Sequence, residues 1–346
     1  MTVHSRRTMR ALGLAVAILS IVAARPRAAR AQETTIRGFA NVTYAASDST
    51  GGRSGFGLGQ YDLFITSRLA PRWTFLGETV FEFDETDFAV DVERVVVGYE
   101  ATARLKLWGG KHHNPLGYWN TAFHHGALMQ PTIERPPLVA FEDDGGVLPV
   151  HALGLMASGR DFTPAHLGFD LLVGNGIGST PEGDNNTGKS VTVALSSQVT
   201  SALQVGVNGY VDRLAAGTPA LGGDPLAQPV SQRIVGGYVA YLGPRAELIS
   251  EYQRISHDPA AGPATSNDGF FAYGGWRVRE WVAYARYDAF TAAAPDPYYR
   301  VPSTHGVLVG TRYDFASTAT GKLELRQRKG TGDAVHELAA QIAIGF

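Results

Sequence analysis

The chain lacks cysteine altogether, so no disulfide can hold its fold. Past residue 24 no stretch approaches 18 consecutive apolar residues, which excludes a helix crossing the inner membrane. An excess of positive charge is also missing. Of the 30 basic residues, six arginines fall in the first 31 positions, which hold no lysine and no acid. Removing those 31 of 346 residues leaves 315, with 24 bases against 32 acids and a formal charge of −8. A nucleic-acid binder would carry a basic face, so that class is set aside. No Gly-x-Ser-x-Gly elbow occurs. The glycine-rich run at 174–178 is not followed by the helix-forming segment that a phosphate loop needs. The chain is therefore expected to be no enzyme and to hold no cofactor.

What is present starts with an export signal. Arg6, Arg7 and Arg10 precede a 14-residue apolar run, Ala11 to Ala24, and Ala29-Arg30-Ala31 forms a small-x-small site. That is the pattern of a cleaved secretory signal peptide over 1–31, with a run too short to span a membrane. Residues 32–346 then form a single domain.

The other end is equally patterned. In VHELAAQIAIGF, Leu338, Ala340, Ile342, Ile344 and Phe346 fall on one strand face, and Glu337, Ala339, Gln341, Ala343 and Gly345 on the other. An apolar face opposite a small or polar one suits a strand between lipid and a wet lumen. The segment resembles the closing strand of Gram-negative outer-membrane β-barrels. Sixteen alternating runs can be marked between 35–45 and 335–346, including 245–255 and 269–277. Most have the length that crosses a bilayer at a tilt. Their connections alternate between short turns, such as Ala70-Pro71-Arg72 and Gly243-Pro244, and long loops rich in Gly, Asn, Asp and Pro. The expectation is an all-β, closed antiparallel transmembrane barrel of about 16 strands, with short periplasmic turns and long outer loops. Lipid offers no hydrogen-bond partners, so the first and last strands must pair. A mean hydropathy near zero with 44% hydrophobic residues fits such alternation, and fits a large soluble β-protein as well.

A charge facing lipid at mid-membrane costs about 2–4 kcal/mol, so charged strand faces should point inward. Arg68, Glu78, Glu82, Lys106, Arg286, Arg312, Glu324 and Arg326 are the resulting lumen residues. They would either set a field across a pore or pair as ion bridges that stiffen the interior. A barrel of about eight strands is filled by its own side chains, whereas sixteen leave an aqueous channel. Passive diffusion of small polar or charged solutes is the expected activity. A plugged structural or assembly barrel is the alternative, and an outer-membrane hydrolase a more distant one.

The longest segment without alternation is 112–146. Loops of that length are usually functional or disordered. This one holds too many apolar groups for a solvated tail, so it should fold into the mouth and narrow the pore. LKLWGGKHHNPLGYWN at 105–120, followed by Ile133-Glu134-Arg135-Pro136, resembles a segment of the phosphate-selective-porin-like group of outer-membrane porins. The resemblance implies an inward constriction loop bearing Lys111, Trp119, Asn120 and Arg135, and a possible homotrimer in the outer membrane. Phosphate-selective members line the constriction with many bases. Here Arg135 is accompanied by Glu134, Glu142, Asp143 and Asp144, so phosphate selectivity is not expected. His112, His113, His124 and His125 are weak metal candidates, more simply read as polar lining, and no metal site is expected.

Overall fold

The computed structural model describes residues 33–49, 54–83, 88–124, 126–142, 145–180 and 182–346. The signal peptide expected over 1–31 lies outside the described residues. The alternating runs become sixteen strands: β1 (Glu33–Ser47), β2 (Gly55–Ala70), β3 (Trp73–Phe83), β4 (Phe88–Glu100), β5 (Leu105–His113), β6 (His151–Gly159), β7 (Leu167–Gly174) and β8 (Ser190–Gln198), then β9 (Leu203–Leu214), β10 (Val230–Leu242), β11 (Ala246–Pro259), β12 (Thr265–Val278), β13 (Trp281–Thr291), β14 (Thr304–Ala316), β15 (Ala319–Lys329) and β16 (Val335–Gly345). Each pairs antiparallel with its chain neighbours, and β1 pairs with β16 to close the barrel. The closing register runs from Phe39 opposite Gly345 to Ser47 opposite Glu337. Beyond it, Gly38 and Phe346 exchange backbone bonds of 2.8 and 2.9 Å. The Phe346 ring lies 5.8 Å from that of Tyr61. No helix among the described residues is long and apolar enough to cross a membrane.

Burial runs inside out relative to a water-soluble protein. Leu155 is 71% exposed, Val235 64% and Ile342 60%, while Glu251, Gln253 and Glu324 are buried. On β16 the outward Leu338, Ile342 and Ile344 are exposed and the inward Ala339, Gln341 and Ala343 are buried. Exposed apolar groups in an unbroken band have a physical reason only where the outer solvent is hydrocarbon.

Two local departures from ideal pairing matter. On β4, Arg94 pairs with Glu78 and Val92 with Thr79, so Glu93 is an extra residue. Such a bulge breaks strict alternation. Glu93 is buried and Arg94 partly so, while Val92 and Val95 on either side are exposed. On β5, Gly110 has φ 139°, and a Cβ there would sit 1.9 Å from the Val95 carbonyl oxygen. Only glycine fits that approach.

Most strand limits shift by a residue or more, β2 beginning at Gly55 instead of 60, and two of the shifts bear on the lumen. β11 and β12 run to Pro259 and from Thr265, so the loop expected over 256–268 shrinks to 260–264. Its polar residues His257, Thr265 and Asn267 belong to the ladder because they bond a buried carboxylate inside the barrel. The long connection runs 114–150 instead of 112–146. His112 and His113 stay in β5, opposite Ala152 and His151. Val147, Leu148 and Val150 leave the sheet to join an apolar cluster in the lumen.

Candidate functional site: the loop inside the barrel

The connection 114–150 folds inward and is fastened around the barrel. Asn114 Oδ1 accepts from Thr192 Oγ1 of β8 at 2.7 Å. The Gly117 N–H donates to Asn208 of β9 at 3.2 Å and the Trp119 N–H to Glu251 of β11 at 2.5 Å. The Gly126 N–H reaches Asp62 of β2 at 3.1 Å, and the Ile133 N–H reaches Glu324 of β15 at 2.7 Å. Lys322 Nζ donates to the Ala127 carbonyl at 2.5 Å. Buried backbone groups need partners, and here the inward polar side chains of the strands supply them. Gly117 has φ 76°, and a Cβ on it would meet Glu251 Oε2 at 1.9 Å. The glycine of the Pro-x-Gly-x-Trp-Asn segment is thus required by both conformation and contact.

Within the loop a short helix α1 (Trp119–Ala122) and a 3-10 turn (Pro137–Val139) present apolar groups to one side. Leu116, Trp119, Leu138, Val139 and Leu148 pack on inward residues of the far wall, among them Tyr210, Ile234, Ile255 and Phe271. The Trp119 ring meets Phe271 edge-on at 5.7 Å. One side of the lumen is therefore packed with apolar groups.

The charged side joins late strands to the loop. Arg286 is buried and donates to Asp288 at 3.0 Å, Thr132 Oγ1 at 2.7 Å, the Glu134 carbonyl at 2.6 Å and the Arg135 carbonyl at 3.3 Å. Glu324 accepts from the Tyr284 hydroxyl at 2.8 Å and pairs with Arg326 at 2.7 Å. Arg326 also reaches Glu337 at 2.7 Å and Glu134 at 3.5 Å. Arg328 pairs closely with Glu134. Burial pushes the Glu134 carboxyl up, but the guanidinium groups of Arg326, Arg328 and Arg286 outweigh it and hold it below the ordinary 4.5. Arg312 pairs with Glu247 at 2.8 Å and Asp314 at 3.1 Å.

Arg286, Glu324, Arg326, Trp119, Asn120 and Arg135, all read from the sequence, thus meet on or against the loop, whereas Arg312, also read there, is held by wall residues. Arg135 is held by the loop itself. Its Nε donates to the Val139 carbonyl at 2.8 Å, and its guanidinium lies 4.0 Å over the Phe141 ring. Glu142 accepts from the Val150 N–H at 2.7 Å. Glu78 is buried against Arg94 at 2.5 Å, and Glu82 accepts from Gln60 at 2.9 Å. Arg68 and Lys106 lie apart from the loop near the short turns; Arg68 donates to Pro71 and Lys106 pairs with Glu100 at 3.1 Å. Lys111 sits in register with the exposed Val95 and Leu153 and reaches Asp91 at 3.6 Å. Asp143 and His125 lie outside the described residues. His113 and His124 stack at 3.5 Å beside His151 and Glu93, whereas His112 turns instead to the Gly154 carbonyl at 3.3 Å.

Sequence reasoning missed a second inward loop, 292–303. Asp296 is buried and accepts from His257 Nδ1 at 2.9 Å, Thr265 Oγ1 at 2.6 Å, Asn267 Nδ2 at 2.9 Å and the Tyr299 N–H at 2.6 Å. Burial pushes its carboxyl up, but these bonds, His257 foremost, hold it well below the usual carboxylate range. Tyr299 bonds the Val147 carbonyl, joining the two loops. The signal available in sequence was the pair Tyr298-Tyr299 after Pro295-Asp296-Pro297, aromatic groups in a stretch read as one of the long outer loops.

Open space remains at both ends. Toward the short turns a cavity of about 630 Å³ is roofed by Phe123, Leu128 and Met129 of the loop and walled by Glu247, Arg277 and Arg312. Toward the long loops a cavity of about 200 Å³ is lined by Arg326, Arg328, Asp333 and Glu337.

No protein-family model matches the chain, and no curated protein sequence matches it. Solved structures do. The trimer form of OmpT, an outer-membrane protein of Vibrio cholerae, is 14% identical with a TM-score of 0.66, over 92% of this chain and 100% of that one. An anion-selective porin from Comamonas acidovorans is 12% identical with a TM-score of 0.66, over 91% and 100%. OmpF of Salmonella typhi, in complex with daunomycin, is 10% identical with a TM-score of 0.63, over 90% and 97%. At these identities the likeness establishes the fold. The chain has the closed sixteen-stranded barrel of outer-membrane proteins.

Proposed function

We propose that the mature chain is an outer-membrane porin of Gram-negative type, reached by Sec export. It passes small polar or charged solutes through a lumen narrowed by 114–150. One observation carries the reading: a loop bonded to β2, β8, β9, β11, β13 and β15 lies between two cavities lined by charged side chains. A loop so held divides the lumen without occupying its ends, which is the arrangement of a constriction. Acids and bases alternate along the wall and pair within it, so neither sign dominates and ion selectivity is weak. The sequence resemblance to the phosphate-selective group is not extended to phosphate, because Arg135 is engaged by Val139 and Phe141 inside the loop. A homotrimer is proposed with the porin reading, since a relative of the same fold is described in a trimer form.

A second reading has its own support. The apolar cluster around Trp119 and Phe271 fills part of the lumen, as a plug would. Planar-bilayer recording of purified mature protein separates the two. A porin gives stable ohmic steps with a reversal potential near zero in a salt gradient. Folded, heat-modifiable protein that never conducts would refute the porin and leave the plug.

A further inference from the structure

Four side chains from four separate places converge where the inner loop meets the wall. Glu93 comes from the β4 bulge, His113 from β5, His151 from β6 and His124 from the loop. One ligand atom from each lies within 4.8 Å of all the others. Glu93 and His124 are buried, and the other two are partly so.

The protons in this cluster can be placed by following its hydrogen bonds outward. Asn120 donates its amide nitrogen to the Asn114 carbonyl at 2.8 Å and the Val150 carbonyl at 3.0 Å. Its Oδ1 therefore faces His124 Nδ1, at 2.7 Å, and must accept from it. With the proton on Nδ1, neutral His124 turns the lone pair of Nε2 into the cluster. His151 repeats the pattern: Nδ1 meets Glu142 Oε2 at 3.2 Å and donates to it, which leaves Nε2 as the inward atom. His151 Nε2 then stands 2.9 Å from His124 Nε2 and 2.5 Å from Glu93 Oε2. Two imidazole lone pairs and a carboxylate oxygen point at one another, and a positive charge has to join them. A metal ion among them would supply it, as would a second proton on His151.

We propose that Glu93, His113, His124 and His151 form a site for a divalent transition-metal ion of the zinc class. The chemistry fits in three ways. Imidazole with one carboxylate is a donor set that zinc favours. A tetrahedral ion with bonds near 2.05 Å separates its ligand atoms by about 3.3 Å; the three tight separations are 2.5, 2.9 and 3.7 Å. Each of two ligand histidines donates its outer N–H to an oxygen of Asn120 or Glu142, the outer-shell arrangement that fixes tautomer and ring orientation at such sites. His113 stacks on His124 at 3.5 Å, with its Nε2 3.4 Å from Glu78; its ligand atom lies within 4.8 Å of the other three, and it would turn out of the stack to complete the set. The ion would staple the loop to three adjacent wall strands. The inference rests on the cluster alone and holds for an open or a plugged barrel.

The test is titration of chelator-treated, refolded mature protein with Co²⁺, followed by displacement with Zn²⁺. One equivalent should give the intense visible bands of tetrahedral Co²⁺, and one equivalent of Zn²⁺ should abolish them. Asn120→Ala should weaken binding 10- to 100-fold while leaving the ligands in place. The double variant His124→Ala, His151→Ala should lose the bands entirely, with His305→Ala as an unaffected control. Heat-modifiable migration confirms each variant's fold. If the double variant does not fold, Glu93→Gln and His124→Gln singly must each reduce affinity at least tenfold. Pale octahedral bands, no saturation at one equivalent, or bands that persist in a folded ligand variant would each overturn the site and leave a proton-linked cluster in its place.

Discussion

Replacing Arg286 by alanine should release the inner loop while leaving the barrel intact. Its guanidinium neutralises Asp288 and at the same time holds Thr132, Glu134 and Arg135 of the loop. The β13 ladder to β12 and β14 is made by backbone groups and does not need the side chain. Breaking a buried charge pair from one side costs about 3–5 kcal/mol. Water entering the vacated space lowers that figure, so the lower bound of about 3 kcal/mol is the fair value. At 1.4 kcal/mol per decade, that corresponds to about a hundredfold shift toward the undocked loop. Hydrogen exchange with mass detection reads this directly. Peptides covering 126–140 should exchange about a hundredfold faster in R286A, while strand peptides of β9–β12 keep their protection. Single-channel records should show flicker to larger conductance. Unchanged exchange over 126–140 in a folded R286A barrel would refute the clamp and the energetic reasoning behind it.

Other expectations follow from separate features. Gly110→Ala forces a Cβ against the Val95 carbonyl at a positive φ; it should cost on the order of 3 kcal/mol and sharply reduce the heat-modifiable fraction after refolding. Leu155→Arg on the exposed face should cost roughly 2–4 kcal/mol if the residue sits at mid-membrane, seen as a lower folded fraction in liposomes, and an unchanged yield would place Leu155 away from hydrocarbon. Because Glu134 is held below its ordinary value of 4.5, its ion pairs contribute above that pH and are lost as pH falls beneath it. Protection of the loop, measured relative to the intrinsic exchange rate at each pH, should therefore fall between pH 5 and pH 3, and in E134Q it should be low and unchanged over the same range.

The barrel was legible in the chain because its cause is strictly periodic. Lipid on one side and water on the other impose a two-residue repeat, and backbone satisfaction imposes closure. That is why the face assignment of Leu338 to Phe346 and the pairing of the two ends could be read directly. The interior was legible only in part. Inward charges such as Arg286 and Glu324 followed from the same repeat. Glu93 did not, because the bulge at 93–94 breaks the repeat at that residue. His151 was hidden inside a strand reading that began too early, since Val147, Leu148 and Val150 are as apolar as a strand requires. The inward course of 292–303 depends on Asp296 finding three side chains from β11 and β12, a meeting in space that no local spacing encodes.

The pairing of β1 with β16 also dictates an order of events. Every other seam in the wall joins strands adjacent in the chain and can form as a local hairpin. This one joins the two ends, so it carries the largest loop-closure entropy and must come last. Until Phe346 reaches Gly38, the sheet is an open ribbon with two bare edges, each able to capture another chain. A truncation of a few C-terminal residues would therefore harm the protein out of proportion to the contacts removed. It would turn a closed wall into an adhesive one, and the expected product is an aggregate instead of a slightly weakened barrel.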